Sequence, residues 1–138
     1  MGTRWRCSPR RRIDAGTALQ LASEGYQVPP EHELLAPTLL RSQALSLMHE
    51  AVHRGELSPA IARQRLAAVG KLPIRLLGDA VLRKVAWEMA DRLGTDSTYE
   101  AEYLALTKLQ GDAFVTLDAD LARRCEGIVP TATIEALR

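Results

Sequence analysis

A chain of 138 residues, 46% apolar and 25% charged, is one domain by length and large enough to bury a substantial core. Its net charge of +1 gives no global drive towards nucleic acid, and two cysteines, Cys7 and Cys125, are too few for a disulfide framework or a four-ligand zinc site. No apolar run approaches the roughly 20 residues of a membrane span, so a reduced, cytoplasmic protein with no membrane partner is expected.

Charge is uneven along the chain. Residues 1–12 carry Arg4, Arg6, Arg10, Arg11 and Arg12 and no acid. They read as a basic N-terminal arm, solvated and flexible, or able to touch RNA phosphates. Pro9 and the arginines after it argue against a signal-peptide core. Residues 13–138 read as a single domain.

Ala15 to Glu24 has the spacing of a short helix, with Ala18, Leu19 and Leu21 inward. Asp14 stands just ahead of it, where a carboxylate accepts hydrogen bonds from free helix N–H groups. Residues 25–33 are a loop, because Pro29 and Pro30 exclude helix. Leu34 to Ala36 is a brief extended segment. Pro37 then leads into a helix over 38–54, buried along Leu40, Ala44, Leu47, Met48, Ala51 and Val52, with Gln43 beside that stripe. Ser58-Pro59 opens a helix with Ile61, Leu66 and Val69 inward, which Gly70 closes.

Leu72 to Leu77 reads as a second buried strand. Gly78-Asp79 turns into a helix over 80–93, with Val81, Val85, Ala86, Met89, Ala90 and Leu93 inward and Gly94 as its stop. The stretch from Thr98 to Arg124 follows. Tyr99, Tyr103, Leu106 and Leu109 recur at helical spacing, Gly111-Asp112 punctuates, and Ala113 to Val115 begins a short buried strand reaching residue 117. Leu121 to Cys125 is a last helix. Ile128-Val129 is a closing edge strand that Pro130 ends. Strands alternating with one or two helices predict a parallel sheet covered on both faces, joined by right-handed crossovers.

The acids at strand ends and helix starts are Asp14, Asp79, Asp96, Glu100, Asp118 and Asp120. In parallel α/β sheets, ligand sites form at the carboxyl ends of strands. Carboxylates gathered there repel, and an ionised cluster needs a cation. Oxygen-only donors suit magnesium or manganese (Mg2+ or Mn2+), which polarise phosphoryl oxygens and generate hydroxide from water. Each acid also has a plain structural reading. Ser97 and Glu100 fit a capping box, and Asp14 and Asp118 fit helix caps. His49 and His53, four apart on one helix, lack a third ligand nearby, and His32 lies in a loop. No glycine-rich phosphate loop is present.

The segment YEAEYLALTKLQGDAFVTLDADLAR resembles the C-terminal half of PIN-domain ribonucleases, specifically VapC-type toxins of toxin–antitoxin pairs. IDAGTALQLA resembles that family's opening V-D-A-S motif, and LLAPTLLRSQALSLM its A-P-x-L helix. The resemblance covers about residues 13–138. It implies a PIN-like three-layer α/β/α domain with a short central parallel sheet, and a divalent-metal-dependent endoribonuclease that cleaves RNA. It also implies a VapB-type antitoxin as partner and a homodimer. The family's four acids fall on Asp14, Gln43, Glu100 and Asp118, with Thr116 as polar neighbour. Asp14, Glu100 and Asp118 are then the catalytic and metal-holding residues. Gln43 offers only an amide oxygen, a loss for which Asp96, Asp120 or Glu33 could compensate. The missing charge leaves a second reading open: a catalytically weakened scaffold that binds RNA or antitoxin.

One expectation is physical. A strand leading to Asp14 would read Pro9-Arg10-Arg11-Arg12-Ile13, and buried arginines are costly. That strand is therefore expected to be short, frayed, or to carry its arginines out of the sheet.

Overall fold

A computed structural model describes residues 10–27, 29, 31–110 and 113–137. Short polar side chains set several of its helix starts. Asp14 caps α1 (Ala15–Ser23), accepting from the Thr17 N–H. Ser58 caps α3 (Pro59–Lys71), with Pro59 in the first turn, and Asp79 caps α4 (Ala80–Leu93). Asp118 caps α6 (Ala119–Cys125). Each supplies an acceptor to N–H groups that the first helical turn leaves without one. Gly94, at φ 70°, ends α4 in the left-handed conformation that glycine adopts without a Cβ clash. The helices α2 (Leu39–His53) and α5 (Tyr99–Gln110) complete the set of six among the described residues.

Among the described residues five short strands run parallel: β1 (Arg10–Ile13), β2 (Glu33–Pro37), β3 (Ile74–Leu77), β4 (Ala113–Val115) and β5 (Thr131–Ala132). Their order is β3-β2-β1-β4-β5. The chain steps outward from β1 to β3, then returns past β1 to β4. Right-handed crossovers therefore put α1, α2 and α3 on one face and α4, α5 and α6 on the other. The packing agrees: α1, α2 and α3 contact one another, while α4 lies on α5 and α5 on β1, β2 and β4. The result is the expected three-layer α/β/α domain. The core is built from Ile13, Leu34, Leu35, Phe114 and Val115 of the sheet, with Leu21, Leu40, Met89 and Leu104 from the helices.

The structure corrects several sequence-based expectations. The division between arm and domain at residue 12 falls inside β1, which takes Arg10 to Arg12; residues 1–9 lie outside the described residues. The strand is short, as expected, but Arg12 does not leave the sheet. It is fully buried, in register with Leu35 on one side and Phe114 on the other. A central strand covered on both faces has no solvent-facing side. Gly70 lies within α3, which runs one residue further. The last strand is Thr131–Ala132, beyond Pro130; the Pro130 carbonyl accepts the Phe114 N–H (2.9 Å). Proline lacks a donor but keeps its acceptor, so it sits at the strand's entrance.

Leu47, Ile61 and Val81, read as inward, are exposed, as are Tyr99 and Leu109 at the two ends of the apolar spacing read on α5. In α5 the fully buried stripe is Ala101, Leu104 and Ala105, where the two small alanines let the helix approach its neighbours and Leu104 fills the core. Apolar spacing reports helical period better than phase when apolar residues fall on two faces.

A candidate active-site cleft at the switch point of the sheet

The reversal of direction between β1 and β4 is where an open α/β sheet parts its crossovers and leaves a crevice at the strands' carboxyl ends. A cleft of about 580 Å³ lies there. Asp14 follows the last residue of β1, and Asp118 lies three residues beyond the last of β4. Ile13 and Val115 are paired in register, so Asp14 and Thr116 emerge side by side. Glu100 enters from the first turn of α5, and Gln43 from the second turn of α2. Asp14, Gln43, Glu100 and Asp118 all line this cleft.

Asp14 is held at both oxygens. Oδ1 accepts the Thr17 N–H at 2.9 Å, and Oδ2 accepts the Thr116 hydroxyl. Its capping and site positions thus coexist in one side chain. Thr116 Oγ1 in turn accepts the Asp118 N–H (3.1 Å). Asp118 Oδ1 accepts the N–H groups of Asp120 and Leu121, each at 3.0 Å. Asp14, Thr116 and Asp118 therefore form one continuous hydrogen-bonded chain across the ends of β1 and β4. The Thr17 hydroxyl donates to the Val115 carbonyl (3.3 Å) and ties α1 to the same edge.

The other two members are engaged differently. Gln43 Oε1 accepts the Tyr103 hydroxyl at 2.5 Å. Tyr103 is almost fully buried, and burial, with the nearby charges of Asp14 and Glu102, drives its pKa far above that of a free phenol. It remains a proton donor at any physiological pH. Glu100 meets Arg124 of α6: Nη1 lies 3.1 Å from Oε2 and Nη2 donates to Oε1 at 3.4 Å. Hydrogen bonding to Glu100 is also the main reason the Arg124 pKa is raised. The capping-box expectation holds in part, since Ser97 Oγ accepts the Tyr99 N–H (3.2 Å) while the Glu100 carboxylate faces Arg124.

The proposed compensators do not join the cleft. Asp96 is exposed outside it, and Asp120 pairs with Arg123 (3.3 Å) and Arg124 (3.2 Å). Glu33 starts β2, at the opposite end of the parallel strands, near Arg75 (3.6 Å). Sequence reasoning missed Glu50, which also lines the cleft. It stands seven residues after Gln43, two turns along one helix face, and that spacing was available as a signal. Among the described residues, no group of three or more His, Cys, Asp and Glu side chains is gathered closely enough to hold a metal ion.

Fold and cleft together define a doubly wound α/β domain with an acid-lined crevice at its switch point. Among solved structures, the chain is similar to PAE2754 from Pyrobaculum aerophilum, with a TM-score of 0.72 over 94% of this chain and 93% of that one. The two share 21% identity, so the likeness speaks for the fold. No protein-family model and no curated protein matches the chain. No helix among the described residues is long and apolar enough to cross a membrane.

Proposed function

We propose that this chain is a divalent-metal-dependent endoribonuclease of the VapC type, a PIN-domain toxin that hydrolyses RNA phosphodiester bonds. The observation that carries the reading is that Asp14, Glu100 and Asp118 all line one open cleft at the sheet's switch point. The donor set is chemically suited to the ion: three carboxylates and an amide, all hard oxygens, with no sulfur or imidazole among them. Asp14, Glu100 and Asp118 would hold Mg2+ or Mn2+, with Gln43 at their side; they line one cleft but are not gathered closely enough to ligate one ion as they stand, so binding would require their side chains to close on it. Such an ion, when bound, polarises a phosphoryl oxygen and lowers the pKa of water at the site.

The chain's own residues do the positioning. Thr17 and Thr116 hold the Asp14 carboxylate in one orientation, and the α6 N–H groups do the same for Asp118. Carboxylates already held in place need less reorganisation when they take up a ligand. The reading carries with it a cytoplasmic location, a VapB-type antitoxin that covers the cleft, and a homodimer.

A specific observation favours a second reading, a weakened scaffold that binds RNA or antitoxin without efficient cleavage. The Gln43 oxygen accepts the Tyr103 hydroxyl, which leaves it one lone pair, and both Glu100 oxygens face Arg124. The deciding experiment is RNA cleavage with Mn2+ by the parent chain, Asp14→Ala and Gln43→Glu. Cleavage by the parent that Asp14→Ala abolishes supports the enzyme. An inactive parent restored by Gln43→Glu supports the scaffold. Cleavage unaffected by Asp14→Ala sinks the site assignment.

A further inference from the structure

Arg124 reaches back from α6 to the first turn of α5, twenty-four positions earlier in the chain. Its guanidinium makes a fork. Nη1 and Nη2 face the two oxygens of Glu100 at 3.1 and 3.4 Å, and Nε donates to Asp120 Oδ2 at 3.2 Å. Asp120 thus steadies the arginine from its own helix while the fork covers a carboxylate of the cleft. A planar guanidinium matches a carboxylate in two places at once, as an ammonium cannot.

We propose that Arg124 is a tethered competitor for the cation at Glu100, a built-in positive charge that lowers the cleft's affinity for a divalent ion. This rests on the metal-dependent reading of the same cleft. Any ion held by Glu100 must approach the carboxylate that the guanidinium now covers. The arginine then either withdraws or remains as a like charge within a few ångströms. A unit charge about 6 Å from a divalent ion, in a water-like dielectric and with partial salt screening, changes the ion's affinity by about five- to tenfold.

The pair is suited to reversible use. The side chains of Arg124 and Glu100 are 35% and 40% exposed, and ion pairs this open contribute little to folding. The competitor can be removed without unfolding the chain. Arg123 provides the control. It lies on the same helix with the same charge, is 74% exposed, and pairs with Asp120 at 3.3 Å; among the described residues it makes no ion pair with Glu100.

The test is Mn2+ titration of the full chain at fixed ionic strength, with free Mn2+ read by electron paramagnetic resonance. The parent is compared with Arg124→Ala, Arg124→Gln, Arg123→Ala and Asp14→Ala, and thermal unfolding confirms that each variant is folded. Both Arg124 variants are expected to bind Mn2+ about five- to tenfold more tightly than the parent, with Arg123→Ala within about twofold of it. Affinity that is unchanged or weaker in the Arg124 variants, with binding still dependent on Asp14, overturns the competitor and leaves the metal site standing. An equal gain in Arg123→Ala also overturns it, because the effect is then a general one of net charge. If neither the parent nor any variant binds Mn2+, or if Asp14→Ala binds as the parent does, the metal reading and the competitor fail together.

Discussion

Asp14 is asked to cap a helix and to serve a cleft, and the two roles separate by substitution. Asp14→Ala removes the acceptor for the Thr17 N–H at 2.9 Å and for the Thr116 hydroxyl. Loss of an N-cap costs about 1 kcal/mol. Loss of a partly buried hydrogen bond to a charged group costs about 1.5 kcal/mol more. Relief of repulsion from Glu100 and Asp118 offsets a little of this, leaving a loss of about 2 kcal/mol. For a domain of this size that lowers the unfolding midpoint by roughly 8 °C. Asp14→Ser keeps a good capping oxygen but loses the charge, and should recover about 1 kcal/mol of the deficit. Urea unfolding followed by circular dichroism measures both variants, with the slope against denaturant serving as the check on two-state behaviour. RNA cleavage should be lost in both, because both lack the carboxylate. If Asp14→Ser is no more stable than Asp14→Ala, the capping argument is wrong. If it still cleaves RNA, the site argument is wrong.

Phe114 is fully buried on β4 with its ring 6.1 Å from that of Tyr103, so Phe114→Ala should cost about 3–5 kcal/mol by chemical denaturation; a loss under about 1 kcal/mol contradicts the core described here. Alkaline conditions should also destabilise the fold. Burial pushes the Cys125 thiol from 9.0 up to about 11, so the folded state keeps its proton where the unfolded state has lost it. The stability tied to that neutral thiol is complete below pH 9 and is lost as pH rises through 11. Tyr103, raised chiefly by burial, acts in the same direction at higher pH. Urea midpoints that stay level from about pH 8 to about pH 11 would count against this assignment.

The likeness of Asp14, Glu100 and Asp118 in the sequence hides how differently they are held. Asp14 and Asp118 both carry a local signal, a carboxylate directly before a helix, and both cap as expected. Glu100 carried an equally good local signal in its spacing from Ser97, yet its carboxylate meets Arg124 from another helix. Gln43 looked like an open amide oxygen. Its oxygen instead accepts from Tyr103, sixty positions away. These contacts join side chains on different elements, and no pattern within one segment encodes them.

By itself the sequence determined what short-range physics controls. Caps at Asp14, Ser58, Asp79 and Asp118, the glycine stop at Gly94, and strands alternating with helices were all readable, because each depends on neighbours a few residues away. The parallel sheet followed from that alternation. Only the tertiary structure decided the rest. It buried Arg12, because the β1 strand is central and covered on both faces. It turned Tyr99 and Leu109 outward, because small alanines make the closer packing face of α5. It gathered Asp14, Gln43, Glu100 and Asp118 around one cleft, because the reversal of strand order between β1 and β4 opens the crevice where their elements end.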